Sequence, residues 1–482
     1  MNSSGLYLGI DMGTGGIRML CINALGEILA QAEEEYPQSF NNGSGVHEQS
    51  PEDWWKAASA CFTSLAKEIN LSAIATIAVD GTSGTLVSLD SEGNSVRKAI
   101  MYNDARSDSE AESLNLTNPH FTQKHGYQFS SSFALPKALW IKNNEPSHFE
   151  ATQIFCHHAD YLTGRLTGNF ALTDFSNALK SGYDLHNMTW PSWQEQLQDK
   201  FGSVQAPGEL IGTTSSRDAF DLGFSENTKV VSGVSDGIAS CIASGMHRIG
   251  DVSITLGTTL VFKTLSILPV SHSDGSIYSH KLADKIWVPG AASNTGGEWI
   301  RSDYSGRNLA ELDDAASSLL PTSRVAYPLR RQGERYPFYS KEFIGFGVGL
   351  NPSKEAYAAC LLGTAFVARM GLEKLLDAIK DKDQKPASLT LVGGGSRSSV
   401  WMQLFADVCQ KEIRVPAHPE AAFGSAIIAA SADLQTDILS IAAKTVKAQN
   451  VYSPDRQSTA NYEKGFLDWK KELSLKLEGI GL

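Results

Sequence analysis

The 482-residue sequence predicts an α/β protein of two domains facing each other over a cleft. Three observations carry that prediction. The length exceeds what one hydrophobic core ordinarily fills, so two or three domains are expected. One pattern, an apolar strand, a loop of small residues and a second apolar strand, occurs twice, as LYLGIDMGTGGIRMLCI at 6–22 and DVSITLGTTLVFKTLS at 251–266. The two copies, one opening each half of the chain, read as duplicated domains. Around them, the strand TKVVSGVS runs into a helical pattern, and SLTLV is followed by a glycine loop and then a helical pattern.

In the opening hairpin, Gly13, Gly15 and Gly16 are expected to take positive φ and bring backbone N–H groups close to an anion, with Thr14 adding a hydroxyl and Arg18 a fixed charge. Asp11 makes sense beside a phosphate cradle if it holds a divalent cation. The alternative is a Gly-rich turn with a solvated aspartate. Next, Ser50, Pro51 and Asp53 open a helix as N-cap, first-turn proline and acid at the dipole's positive end. Its apolar spacing places Trp54 and Trp55 in packing rather than on a ligand. AIATIAVDGTSGTLVSLDSEGN reads as a strand, a polar turn and a second strand.

KALWIKNN and DYLTGRLTG read as helices, and the adjacent His157 and His158, with Asp160 nearby, as structural residues because no second ligand pair matches them. Asp236 falls where a short strand ends and an Ala/Ile-rich helix begins. There it either accepts a proton from a hydroxyl nucleophile, its charge favoured by the helix dipole, or merely caps the helix. Gly393, Gly394 and Gly395 lie between a strand and a helix opened by Ser396 and Ser398. They clear space either for a flat ligand or, the reading favoured for the motif alone, for a tight turn.

Composition narrows the function. With 42% hydrophobic and 20% charged residues the chain is of the soluble globular kind. A net charge of −12 without long Lys/Arg clusters argues against nucleic acid as the ligand. No apolar run is long enough to cross a membrane and MNSSG lacks the features of a signal peptide, so a cytoplasmic protein is expected. The six scattered cysteines signal neither a zinc site nor a disulfide framework.

Together these features ask for a ligand with a phosphate chain, a cation and a flat group, which ATP satisfies. GIDMGTGGIR, VDGTSG, YNDAR, SDGIASCIASG, ITLGTTL, GAASNTGGEW, GGGSRSSVW and EAAFGSA, in that order, resemble the FGGY carbohydrate kinases. The resemblance implies two ribonuclease-H-like, actin-like ATPase domains around a central cleft. The first is expected over 1–243 and rejoined by 426–482 with a returning C-terminal helix, the second over 244–425. It implies Asp236 as catalytic base, Asp11 and Asp236 at Mg²⁺, and Asp11, Ser83, Asn103, Asp104 and Asp236 around the sugar. Thr14, Gly15, Gly16, Arg18, Gly257 and Thr258 would meet the phosphates of ATP, and Gly394, Gly395, Ser398 and Trp401 its base, with Trp401 stacking on it or walling the pocket. Tyr102 stands where relatives often carry tryptophan, and Ser398 where many carry asparagine.

VDGTSG followed by YND is similar to the ribulose-type pentulose kinases. The resemblance thus implies transfer of the ATP γ-phosphate to the terminal hydroxyl of D-ribulose, by a monomer or homodimer. Kinases of xylulose or another polyol, an actin-like ATPase that phosphorylates no sugar, and an inactive sensor are the alternatives.

Overall fold

The computed structural model describes residues 5–37, 40–41, 43, 45–272, 274–347, 352–379 and 388–479. The first repeat forms β1 (Leu6–Met12), β2 (Gly16–Ile22) and β3 (Ile28–Glu35), followed by α1 (Pro51–Leu65), β4 (Ile74–Gly81), β5 (Lys229–Ser235) and α2 (Asp236–Ala243). These strands lie in the order β5-β4-β1-β2-β3, extended beyond β5 by Leu210–Thr213. β1 pairs antiparallel with β2 and parallel with β4, which in turn runs parallel to β5.

The second repeat forms β6 (Val252–Leu256) and β7 (Leu260–Thr264), then β8 (Ile286–Ser293), α3 (Lys354–Ala378), β9 (Leu389–Val392), α4 (Ser399–Cys409) and β10 (Ile413–Pro416). Its central order is β8-β7-β6-β9-β10. β6 again pairs antiparallel with the following strand and parallel with the fourth. Both domains therefore share one strand order and one pattern of direction, which is the duplication that the two hairpins predict.

The apolar residues of β1 point both ways because the sheet is covered on both faces. Leu8, Ile10 and Met12 pack towards Trp54, Cys61 and Phe62 of α1. Tyr7 joins the opposite layer, which holds α2 and α5 (Ala421–Asp433). All six cysteines are free and buried. Trp54 is fully buried, and its indole N–H donates to Gln49 at 2.8 Å. Among the described residues, no helix is long and apolar enough to cross a membrane.

The segment after β10 departs from the expected single return to the first domain. α5 does cross back: a Cβ at Gly9 of β1 would sit 1.9 Å from the Ala422 carbonyl oxygen, and one at Gly424 would sit 2.0 Å from that of Ala239 in α2. The chain then leaves again. Ala448–Tyr452 pairs with β10, and α6 (Arg456–Glu478) buries Tyr462, Phe466, Trp469 and Leu473 in the second-domain core. Those four positions share the inward face of α6, and that aromatic stripe matches the second core rather than the first. We expect Gly9→Ala to destabilise the fold by about 3 kcal/mol, because the backbone of α5 cannot recede without leaving α2. Denaturant unfolding checks this.

Candidate active site

Three adjacent parallel strands end in aspartate at one edge of the first sheet. Asp11 on β1 is in register with Asp80 on β4, Ser235 at the end of β5 is in register with Gly81, and Asp236 follows immediately as the first residue of α2. Such carboxyl ends are where open α/β sheets place their ligands. The expectation named Asp11 and Asp236 and missed Asp80. The signal was there: IATIAVDG repeats the LYLGIDMG pattern of an apolar strand delivering an aspartate to a loop.

Asp80 is fully buried and accepts a 2.5 Å hydrogen bond from the Ser425 hydroxyl on α5. Burial first and the neighbouring Asp11 charge second hold it well above the usual carboxylate range, which favours its protonated form. Burial also raises Asp11, but a hydrogen bond from Asp80 and the Arg18 guanidinium oppose the shift, and Asp11 is the charged member of the pair. Asp236 is pushed up to about 6, by burial and then by Asp11, against the Gly237 N–H, which donates to Oδ1 at 2.6 Å, and against Lys263 and Lys180.

The first hairpin is tied from behind. The Gln49 side chain donates to the Thr14 carbonyl at 2.8 Å and the Tyr36 N–H to that of Gly15 at 2.9 Å. None of Gly13, Gly15 and Gly16 takes a positive φ, contrary to expectation. The turn closes instead through the Gly13 N–H on the Gly16 carbonyl. Glycine is needed at 16 because a Cβ would lie 2.5 Å from the Glu34 carbonyl of β3, while a Cβ at Gly15 would meet no atom within 4 Å and that side of its backbone is open. Arg18 is exposed and pairs with Glu33 at 3.2 Å.

The second hairpin exposes Thr258 and is backed by residues 294–297, a motif to which no role had been assigned. The Gly297 N–H donates to the Gly257 carbonyl at 2.7 Å, and a Cβ at Gly296 would lie 2.5 Å from the Thr259 carbonyl carbon.

The glycine loop divides by residue. Gly393, at φ +94°, makes the tight turn against Leu256 at the end of β6. Gly394 is exposed and a Cβ there would meet nothing within 4 Å, whereas the Cβ position of Gly395 is filled by Leu256 and Trp401. Trp401 does not stack on a ligand. It is 1% exposed, donates its indole N–H to the Leu361 carbonyl and packs on Trp299. Its apolar bulk follows the helical spacing of α4 into the core. Ser398 accepts the Trp401 backbone N–H at 3.1 Å and so caps α4.

On the sugar side, Ser83 is half-buried in a turn whose Gly84, at φ +84°, lets the Ser132 carbonyl approach. Thr82 and Thr85 share a hydrogen bond of 2.8 Å, and Thr82 shares another with His158 at 3.0 Å. Burial lowers His158 to about 3, which keeps it neutral. His157 binds Asp160 and Ser181, the structural role expected of it. Asn103 is exposed. Asp104 is corrected from a sugar ligand to a structural carboxylate: Arg106 donates to both its oxygens at 2.9 and 2.8 Å and the His47 N–H to one at 2.7 Å. Its side chain is fully enclosed, which leaves no oxygen for a sugar.

The residues present fit ATP and Mg²⁺. Gly15 and Gly394 present backbone that a phosphate or a flat ring can approach, one from each domain. Among the described residues, no cluster of three or more metal-ligating side chains is preformed. The carboxylates of Asp11 and Asp236, at the ends of β1 and β5, are a donor set that Mg²⁺ would accept, since it is commonly held by one or two carboxylates and completed by phosphates and water.

Two domains of one topology, each opening with a small-residue hairpin between its first two strands, define the fold class of the actin-like ATPases. The N-terminal domain model of the FGGY family of carbohydrate kinases matches residues 6–243 and its C-terminal domain model residues 252–432. The chain belongs to the FGGY family of carbohydrate kinases, which use ATP to phosphorylate an alcohol group of a sugar. It is 26% identical over 473 residues to the xylulose kinase of Escherichia coli (strain K12), covering 95% of this chain and 96% of that one. It is 22% identical over 484 residues to the gluconokinase of Bacillus subtilis (strain 168), covering 94% and 93%. The structure of xylulose kinase from Rhodospirillum rubrum superposes with a TM-score of 0.86 at 24% identity over 98% of each chain, a likeness of fold.

Proposed function

We propose that this enzyme transfers the γ-phosphate of ATP to the terminal hydroxyl of D-ribulose, giving D-ribulose 5-phosphate, with Asp236 as the base. The observation that carries the catalytic part is the position of Asp236 at the end of β5, beside a charged Asp11, with its pKa at about 6. At neutral pH it is ionised and can accept the proton of the acceptor hydroxyl, and that pKa, near the working pH, suits a general base. Asp11, kept charged while Asp80 holds the proton, holds the cation together with Asp236. When bound, Mg²⁺ neutralises phosphate charge during transfer.

Thr14, Gly15, Gly16 and Arg18 meet the phosphates from the first domain and Gly257 and Thr258 from the second. Gly394 leaves the flat of the adenine a place against bare backbone. Gly395 and Ser398 contribute by shaping that turn. Closure of the two domains excludes water, so that phosphate passes to sugar.

Ser83 supports a ketopentose: among the described residues its hydroxyl makes no hydrogen bond, whereas Thr82 is held by Thr85 and His158. Xylulose is the second reading, favoured by the similarity to xylulose kinases. A screen of ketopentoses, pentitols, glycerol and hexoses separates them. D-ribulose is expected to give the highest kcat/KM. A higher value for xylulose or a pentitol overturns the ribulose assignment and leaves the mechanism standing.

A further inference from the structure

A cavity of about 610 Å³ opens in the cleft with walls from both domains, and two of its lining residues, Lys263 and Lys180, are the cations whose charge acts on Asp236. Three cations line it: Lys180 from the first domain, Lys263 and Arg335 from the second. Lys263 reaches across from β7, its Nζ 3.8 Å from the Cβ position of Gly237 in the first turn of α2. Lys180 is buried, its Nζ 4.0 Å from the centroid of the Phe133 ring. Arg335 is exposed to the cleft.

Among the described residues, none of the three makes an ion pair with a carboxylate. Asp274 is the one carboxylate in the lining, and it is already engaged by the Ser276 N–H at 2.8 Å, His272 at 2.7 Å and Lys374 at 3.1 Å. The three positive charges converge on Tyr278, whose hydroxyl they hold below its usual range, Lys180 most strongly. Beside it, His280 keeps a buried Nδ1 without a hydrogen-bond partner.

A neutral sugar needs hydrogen-bonding groups of both kinds around it and no excess of charge. Asp236 feels Lys263 and Lys180, but no carboxylate among the described residues makes an ion pair with any of the three, and gathering three such cations in a partly enclosed space is unfavourable unless a further anion joins them. We propose that this cavity binds a sugar-sized ligand carrying an anionic group, a phosphate ester or a carboxylate on a polyhydroxylated chain, with Lys180, Lys263 and Arg335 around the anion. The inference rests on the reading of Asp236 as the group that meets the acceptor hydroxyl. The anion has two possible sources, the phosphate that the reaction itself attaches and an acid group that the acceptor brings.

The test is calorimetric titration of the full chain with D-ribulose 5-phosphate, D-gluconate and D-ribulose, for the wild type and for Lys263→Gln and Arg335→Gln. Both replaced residues reach the cavity from the second domain, and Lys180, being buried, is left intact. The expected result is that at least one anionic ligand binds more tightly than D-ribulose, and that each variant weakens that ligand by about tenfold with D-ribulose unchanged. Tight binding of the sugar phosphate alone assigns the anion to the product. Binding and phosphorylation of gluconate assign it to the acceptor, and overturn the ribulose reading while upholding this one. If neither anion binds more tightly than D-ribulose, or the variants weaken all three ligands alike, the proposal is overturned even where D-ribulose is phosphorylated normally.

Discussion

Asp236→Ala is expected to lower kcat for sugar phosphorylation by about 10²–10⁴-fold, the usual contribution of a positioned general base, with ATP affinity changed little. The phosphate hairpins explain the second half of that expectation. They are held by Gln49, Tyr36 and Gly297, none of which touches Asp236, so the cradle survives the substitution. The wild type should also show an acid limb in kcat/KM centred at about 6. Its sign follows from the role: above that pH Asp236 is ionised and accepts the proton, and as pH falls through it the carboxyl is already protonated. The limb should vanish from the residual activity of the variant.

Asp11→Asn is expected to cost a comparable amount, and comparison with Asp80→Asn locates the reason. Asp11 is the charged member of a carboxyl pair, so its amide loses the cation ligand. Burial and the Asp11 charge favour the protonated form of Asp80, and an amide reproduces the pattern of that form, accepting from Ser425 and donating towards Asp11. Asp80→Asn should therefore fold at least as stably as the wild type at neutral pH. The folded pKa of Asp80 lies above its unfolded value, so its contribution to stability is present below about pH 4 and is lost as pH rises from there towards the folded pKa. Asp80→Asn removes that decline, which denaturant unfolding at pH 5 and pH 8 measures. Steady-state kinetics over a Mg²⁺ series reads the Asp11 effect.

The fold was legible because the hairpin pattern at 6–22 recurs at 251–266 and both copies fold into one strand order. Asp236 was legible because the end of a strand and the start of an Ala/Ile-rich helix meet there. The sugar contact of Asp104 and the stacking of Trp401 fail for a common reason: a motif gives the position of a residue but not what surrounds it. Arg106, two residues beyond Asp104, turns back to close that carboxylate, and Leu361 and Trp299, distant in sequence, enclose the indole. The path after β10 was hidden because α5 and α6 are both amphipathic or apolar helices, and only the sheet edge at β10 and the aromatic core of the second domain determine where the last one goes.

The most direct test of phosphoryl transfer from ATP to a sugar through Asp236 is a ³¹P NMR time course with ATP, Mg²⁺ and D-ribulose, run with wild type and with Asp236→Ala. The predicted result is a terminal phosphomonoester of the sugar appearing one for one with ADP in the wild type and no detectable ester in the variant over the same period. Formation of ADP and inorganic phosphate at the same rate with or without sugar, or a sugar ester made equally fast by the variant, would contradict it.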